Sequence, residues 1–344
     1  MASSNVLENI SINLRDDSAI LAVPTEDMYN PIPDNVILPS VTSFMDGLSK
    51  YCPNACALDT YRERDIISEQ NTEIVIHKIP LKVLTPMDKI TQYFEESEME
   101  CESCETCFDT IINNVIRYND NEITEIERLT RGQHENQNWH AMRRGLLTAS
   151  NVKMIYSSIN MDKTSERLLD GNHFDDQNAP LPIQFGRKNE QKAVNMFMKT
   201  HKFEHRKCSN RNTGLYISRS APYIGASPDS LVNCNKCGEF LIEVKCLYKY
   251  RNFHPASALV HSGICEKTDQ NTLIIKVSHP YYFQIQAQMF VTNIHKCLLV
   301  GYTLKGIKTV EILFNPDFWA ECMTRLTRFY RYHFIPMIKE SVVA

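Results

Sequence analysis

Apolar and polar positions alternate most regularly over GEFLIEVKC (238–246). Phe240, Ile242 and Val244 fall on one side, and Leu241, Glu243 and Lys245 on the other, the period of two that marks a strand. With the apolar run upstream in APYIGASPDSLV (221–232), this predicts two strands joined by a tight turn at CNKC. Two more strands are predicted at CLLVGYTL and TVEILF, another at 213–219, and a small hairpin at 273–278 inside the long connection 247–280. Helical spacing governs other stretches. From about Gly186, residues 181–201 place Ala193, Val194 and Phe197 on one stripe. Further helices are predicted at 87–97 after Pro86, at 279–293 after Pro280, and as a pair within 123–155 broken around Gly145 to Thr148. A closing helix over 316–340 carries Arg325, Arg328 and Arg331 on one side and Trp319, Met323, Leu326 and Tyr330 on another. That order predicts an α/β (α+β) fold with a central mixed β-sheet flanked by helices. Nearer the start, 73–84 reads as a strand broken at Pro80, and Pro24, Pro31, Pro33 and Pro39 punctuate an extended segment.

Charge divides the chain. The net charge is −4 over 344 residues, but residues 1–130 carry −15 and residues 131–344 carry +11. The basic half suits a polyanionic partner, whose phosphates such a surface neutralises. The acidic half would repel DNA or cover the basic surface. Two ordinary domains of opposite charge would look the same. The start lacks a basic segment followed by an apolar one, so no signal peptide is visible, and no run of about 18 apolar residues predicts a membrane span. The expectation is an intracellular protein, nuclear or cytoplasmic, with an acidic N-terminal region of unknown role (1–122) and a second domain at 123–344.

Four residues misfit the patterns that surround them. Glu243 and Lys245 interrupt an apolar strand, where charges are costly unless paired or bound to metal. Asp229 precedes them on the neighbouring strand and would complete a compact set of hard oxygens suited to magnesium, although a structural ion pair remains the alternative. Glu190 sits on the apolar stripe of its helix, which suits a carboxylate aimed at a metal or a salt bridge at the stripe's edge. Arg143 and Arg144 lie just before Thr148 and Ser150, either of which could cap the second helix of its pair. An arginine beside such a helix start can form a phosphate pocket, or simply a capped surface helix. Tyr281, Gln284 and Gln288 share one helix face, which could hold a water or a phosphate, or be an ordinary polar face. Trp139 reads as a packing residue.

The 12 cysteines of an apparently unsecreted chain are expected to be mostly reduced thiols or metal ligands. Cys101, Cys104 and Cys107 form CxxCxxC, which would need a fourth ligand such as Cys52 or Cys56 to close a zinc site; free thiols at a helix start are favoured. Cys234 and Cys237 lack two ligands, with Cys208 and Cys246 the nearest cysteines. Cys246 lies on the apolar-facing side of its strand, so CNKC reads as a hairpin turn, with less than one zinc per chain expected.

Five segments, taken in order, carry a resemblance: WHAMRRGLLTAS (139–150), FGRKNEQKAV (185–194), IGASPDSLV (224–232), GEFLIEVK (238–245) and YYFQIQAQM (281–289). They resemble the lambda-exonuclease-like, YqaJ-type viral recombinase family of PD-(D/E)xK nucleases, over roughly residues 123–335. The resemblance implies a restriction-endonuclease-like core and a magnesium-dependent DNA exonuclease, with manganese able to substitute, acting 5′ to 3′ on duplex ends in recombination or end processing. By the same resemblance, Asp229, Glu243 and the Val244 carbonyl would bind the metal, and Glu190 would serve the same site. Lys245 would orient or deprotonate the attacking water, and Gln284 would support the nucleophile or the scissile phosphate. Arg143, Ser150 and Ser227 would hold a terminal 5′-phosphate. Duplex DNA ends are the implied partner, with a single-strand annealing protein and a homo-oligomer as further implied partners. Ser230 stands where the family often has glycine, a minor departure. The long connection between Lys245 and Gln284 bears more on processivity and ring formation than on chemistry. The alternatives are a structure-specific endonuclease and a catalytically silent DNA-binding scaffold of the same fold.

Overall fold

The computed structural model describes residues 83–96, 104–170, 179–205 and 207–343. All of the described residues belong to one unit of the chain, Glu69–Ala344. The proline-punctuated segment, most of the strand expected at 73–84, and Cys52, Cys56 and Cys101 lie outside the described residues.

In chain order the unit opens with helices α1 (Pro86–Glu96), α2 (Cys104–Thr110), α3 (Asp120–Leu129) and α4 (Gln137–Arg143). Strand β1 (Leu147–Thr148) is followed by the short α5 (Val152–Tyr156), α6 (Met161–Asp170) and the long α7 (Leu181–Glu204). The strands β2 (Cys208–Asn212), β3 (Tyr216–Ile217), β4 (Ile224–Ala226), β5 (Ser230–Cys234) and β6 (Gly238–Cys246) come next. The connection beyond β6 holds α8 (Pro255–His261) and the strands β7 (Cys265–Lys267) and β8 (Leu273–Ile275), which pair as a hairpin that lies earlier in the chain than the 273–278 expected, with only β8 inside that range. The chain closes with α9 (Pro280–Thr292), β9 (Lys296–Thr303), β10 (Gly306–Leu313), α10 (Pro316–Phe329) and, through one π-helical turn, α11 (Ile335–Val343).

The main sheet has the order β10-β9-β6-β5-β2. Only β6 and β9 run parallel in it, so the sheet is mixed, as the element order predicts. The alternation along β6 resolves into two faces. Phe240, Ile242 and Val244 join Val300 and Tyr302 against Ala193, Val194 and Phe197 of α7. Leu241 joins Leu299 against Leu259 of α8 and Ile285 and Met289 of α9. Each face of the sheet is therefore covered by helix, and the charged pair on β6 points into the layer beneath α9. Helix α9 starts where Pro280 fixes the first turn and the His279 side chain accepts from Tyr281 N at 3.1 Å. It stops at Asn293, which adopts a left-handed conformation (φ 56°).

A second, three-stranded sheet, β1-β4-β3, packs on a separate core. There Ile90 and Phe94 of α1 and Phe108 of α2 meet Tyr330, Phe334 and Ile338. Helices lying before residue 123, where the sequence reading divides the chain, thus bury their apolar faces in the core that also holds α10 and α11. The chain passes from the small sheet to the main one at Ser227-Pro228-Asp229, between β4 and β5. That crossover is anchored by Gln133, whose Nε2 donates to the Pro228 carbonyl at 2.9 Å, and by the Thr213 hydroxyl on the same carbonyl.

Three local expectations are corrected. Neither Thr148 nor Ser150 caps a helix. Thr148 Oγ1 is instead 3.2 Å from Ser150 Oγ, and accepts from Asn151 Nδ2 at 3.0 Å and from Arg143 Nη2 at 3.4 Å. The strand expected at 213–219 is two residues long, because the chain turns at Gly214 against the end of α3. Buried Glu127 takes the Gly214 amide at 3.1 Å, Arg211 at 2.7 Å and Arg131 at 2.9 Å. Finally, Cys107 is disulfide-bonded rather than a free thiol.

Candidate active site

The crossover and β6 together build one polar cluster. Asp229 sits one residue before β5, and its Oδ2 accepts from the Val244 amide at 2.6 Å, which ties the carboxylate to the neighbouring strand. Glu243 is 2% exposed. Its Oε1 lies 2.6 Å from Lys245 Nζ and accepts from Gln284 Nε2 at 2.7 Å, while its Oε2 accepts from Gln288 Nε2 at 2.7 Å. Gln284 and Gln288 are one helical turn apart on α9, so both amides reach one carboxylate. Lys245 Nζ also donates to Gln284 Oε1 at 3.4 Å and lies 4.3 Å from the centre of the Tyr281 ring. The face read from sequence as Tyr281, Gln284 and Gln288 is therefore the surface that receives β6's charges.

Electrostatics single out the same residues. Burial, and then the charges of Glu190 and Glu243, push the Asp229 carboxyl well above its ordinary value. Burial and Glu243 raise Glu190 to about 7, against a smaller opposing effect of Lys245. Burial acts to lower Lys245, but Glu243, Tyr281 and Asp229 outweigh it and hold the ammonium above its usual range. Three carboxylates thus crowd one place with one ammonium beside them, and the surplus negative charge invites a cation. Hard oxygen donors fit magnesium rather than a soft metal.

Next to this cluster is a second, cationic one. The Arg143 guanidinium lies 3.9 Å from the centre of the Trp139 ring. Trp139 Nε1 donates to Ser227 Oγ at 2.9 Å, which links the arginine to the crossover. Burial lowers Arg143 to about 10. Among the described residues no carboxylate lies within ion-pairing distance of it. A half-buried guanidinium without a counter-ion is a receptor for an anion.

A cleft of about 210 Å³ joins the two clusters. Arg143, Ser150, Glu190, Ser227, Asp229, Glu243, Val244, Lys245 and Gln284, every residue singled out for the site from sequence, line it. Thr148 and Gln288, read from sequence as a possible helix cap and as part of a polar face, line it too, and Gln133 and Trp139 line it and were missed as site residues. The tryptophan carries a signal that could have found it, since it lies one helical turn before Arg143. On the far side of Trp139, Arg143 and Thr148 opens a larger cavity of about 610 Å³, to which Arg144, Arg167, Arg187, His134 and His140 contribute. Among the described residues no helix is long and apolar enough to cross a membrane.

A family model for viral alkaline exonuclease matches residues 59–262, more than half of the chain. No curated protein matches. Among solved structures, the alkaline exonuclease LHK-Exo of Laribacter hongkongensis is 21% identical, covering 60% of this chain and 95% of its own, with a TM-score of 0.42. A KSHV SOX–RNA complex is 12% identical over 79% of this chain and 93% of its own, with a TM-score of 0.44. A SOX–DNA complex is 11% identical over 89% and 94%, with a TM-score of 0.42.

Proposed function

We propose that this chain, which belongs to the viral alkaline exonuclease family, is a magnesium-dependent exodeoxyribonuclease that degrades duplex DNA from its ends, 5′ to 3′, in recombination or end processing. The observation that carries the reading is the single cleft in which surplus carboxylates adjoin a half-buried guanidinium with no carboxylate beside it. Asp229, Glu243, the Val244 carbonyl and Glu190 would hold the metal, which when bound supplies neutralisation of the phosphate's charge and an acidified water.

The remaining chemistry belongs to side chains of the chain. Gln284 and Gln288 hold Glu243 in one orientation and keep its charge from collapsing onto Lys245 alone. Lys245, 2.6 Å from Glu243, stands where it can orient or deprotonate the attacking water and offset charge. Arg143 grips a terminal 5′-phosphate, with Ser150 and Ser227 adding hydroxyl groups, and so positions the next phosphodiester without reading a base.

The test is cleavage of end-labelled linear duplex with magnesium, with EDTA, and against covalently closed circles. Release of nucleotides from linear duplex alone, abolished by EDTA, is expected. Undiminished activity in EDTA would refute the metal reading, and equal cleavage of closed circles would refute the exonuclease reading.

A further inference from the structure

The C-terminal end of α7 and the turn between β5 and β6 meet away from the cleft. There His201, His205, Cys234 and Cys237 come together, with one potential ligand atom from each and all four within 4.8 Å of one another. Cys237 Sγ lies 3.1 Å and Cys234 Sγ 3.5 Å from His205 Nδ1. The two imidazoles stack with centres 4.4 Å apart. His201 Nε2 is buried and, among the described residues, has no hydrogen-bond partner. We propose that these four residues form a closed structural zinc site that staples the end of α7 to the β5–β6 turn.

The chemistry favours zinc over the bland alternative of a hydrogen-bonded thiol in a tight turn. Two thiolates and two imidazoles are the donor set of closed tetrahedral zinc sites, whose ligand atoms stand ~3.3–3.8 Å apart given zinc's bond lengths. Of the sulfur–nitrogen separations here, that of Cys234 lies inside this window at 3.5 Å and that of Cys237 just below it at 3.1 Å. The spacing on each side is also right. C-x2-C spans the turn, and His201 stands in the last turn of α7 with His205, four positions on, as the residue that ends the helix, so the two imidazoles stack beside the same turn. The other nitrogen of His205, Nε2, lies 3.9 Å from Glu204 Oε2, so a carboxylate stands by the outward side of the ring. The turn itself was legible from sequence. The missing ligands are not cysteines but histidines about thirty residues upstream, which removes the ground for expecting less than one zinc per chain.

The test is elemental analysis of the full chain, expressed with zinc and purified under reducing conditions without chelator. One zinc per chain is expected, falling to none in Cys237→Ala and in His201→Ala. Asp229→Ala and Cys208→Ser should retain the ion; Cys208 pairs in register with Cys234 but stands outside the four. Should the ligand variants fail to fold, the wild-type protein reloaded with cobalt(II) decides. Intense visible bands of four-coordinate cobalt with thiolate charge transfer support the site, and the weak bands of six-coordinate cobalt overturn it. Substoichiometric zinc in the wild type overturns it too, as does an ion lost in Asp229→Ala, since that ion would lie in the cleft.

Discussion

Replacing Arg143 with alanine should erase discrimination between 5′-phosphorylated and 5′-hydroxyl duplex ends. The size of the effect follows from the cost of leaving that guanidinium half-buried with no carboxylate beside it. Burial takes Arg143 from 12.5 to about 10, and at ~1.4 kcal/mol per unit this disfavours the cation by on the order of 3 kcal/mol. An anion in two-pronged contact can recover most of that, and the usual worth of charge-assisted hydrogen bonds, ~1.5–3 kcal/mol each, points to the same scale. Converted to a rate ratio, about 3 kcal/mol is roughly 10²-fold.

The assay is kcat/KM on two duplexes that differ only in the terminal group. The wild type should prefer the phosphate by roughly 10²-fold, and Arg143→Ala should bring the ratio close to one while leaving the slow 5′-hydroxyl rate nearly unchanged. Arg143→Lys should restore only part, because an ammonium cannot fork onto two oxygens or stack on Trp139 in the same way. Arg144 is exposed and serves as the control. Equal wild-type rates on the two ends would refute the reasoning, and so would a preference lost in Arg144→Ala but kept in Arg143→Ala.

Three further outcomes are expected. Asp229→Ala, Glu243→Ala and Lys245→Ala should each lower cleavage by ~10²–10³-fold or more, as for loss of a preorganised electrostatic group, while gel-shift binding of DNA largely survives; near wild-type cleavage by Glu243→Ala would count against the assignment. Metal-free protein should lose stability with rising pH. Glu190 is raised from 4.5 to about 7, so its contribution is complete below about 4.5 and lost as pH climbs through about 7, by on the order of 3 kcal/mol, which denaturant melts in EDTA would detect and a rise in stability between those values would contradict. Gly214→Ala and Gly186→Ala should move stability in opposite directions. A Cβ on Gly214 would sit 1.9 Å from the Glu127 carbonyl oxygen, whereas one on Gly186 meets nothing within 4 Å inside α7, so thermal melts should show a loss of ~2 kcal/mol or more for the first and a gain of ~0.5–1 kcal/mol for the second.

What was legible in the sequence was whatever a local period encodes. The alternation over β6 assigned Glu243 and Lys245 to one face, and the four-residue spacing of Gln284 and Gln288 identified the helix face that meets them. Glu190 was visible because an acid on an apolar stripe violates the pattern. Residues whose roles depend on contacts across the fold were not legible. Trp139 looks like any packing aromatic until Ser227, 88 positions away, arrives at its indole N–H. Thr148 has the composition of a cap, but Arg143, Ser150 and Asn151 all compete for its hydroxyl, and capping loses. The sharp turn at Gly214 exists because Glu127 of α3 takes its amide, a contact that no window around Gly214 contains.

One helix connects the carboxylates of the cleft to the proposed zinc site. Glu190 and His201 lie eleven positions apart on α7, or ~16 Å along its axis. Glu190 is under strain of a definite kind, because burial and the charge of Glu243 both oppose its ionisation. Once ionised without a metal, it is pushed away from the cleft, and the force acts on the helix that carries it. Phe197 and Met198 resist by packing on the sheet, but apolar contacts are non-directional and tolerate sliding. Ligand bonds at His201 and His205 are directional and fix the helix against the same β5–β6 hairpin that brings Glu243 and Asp229 to the cleft. Both ends of one hairpin would then be referenced to the middle and the C-terminal end of one helix. Misplacing a reacting group by about 1 Å can cost 10²-fold in rate. A fastening remote from the chemistry can therefore act on the chemistry through the position of Glu190, without touching the substrate.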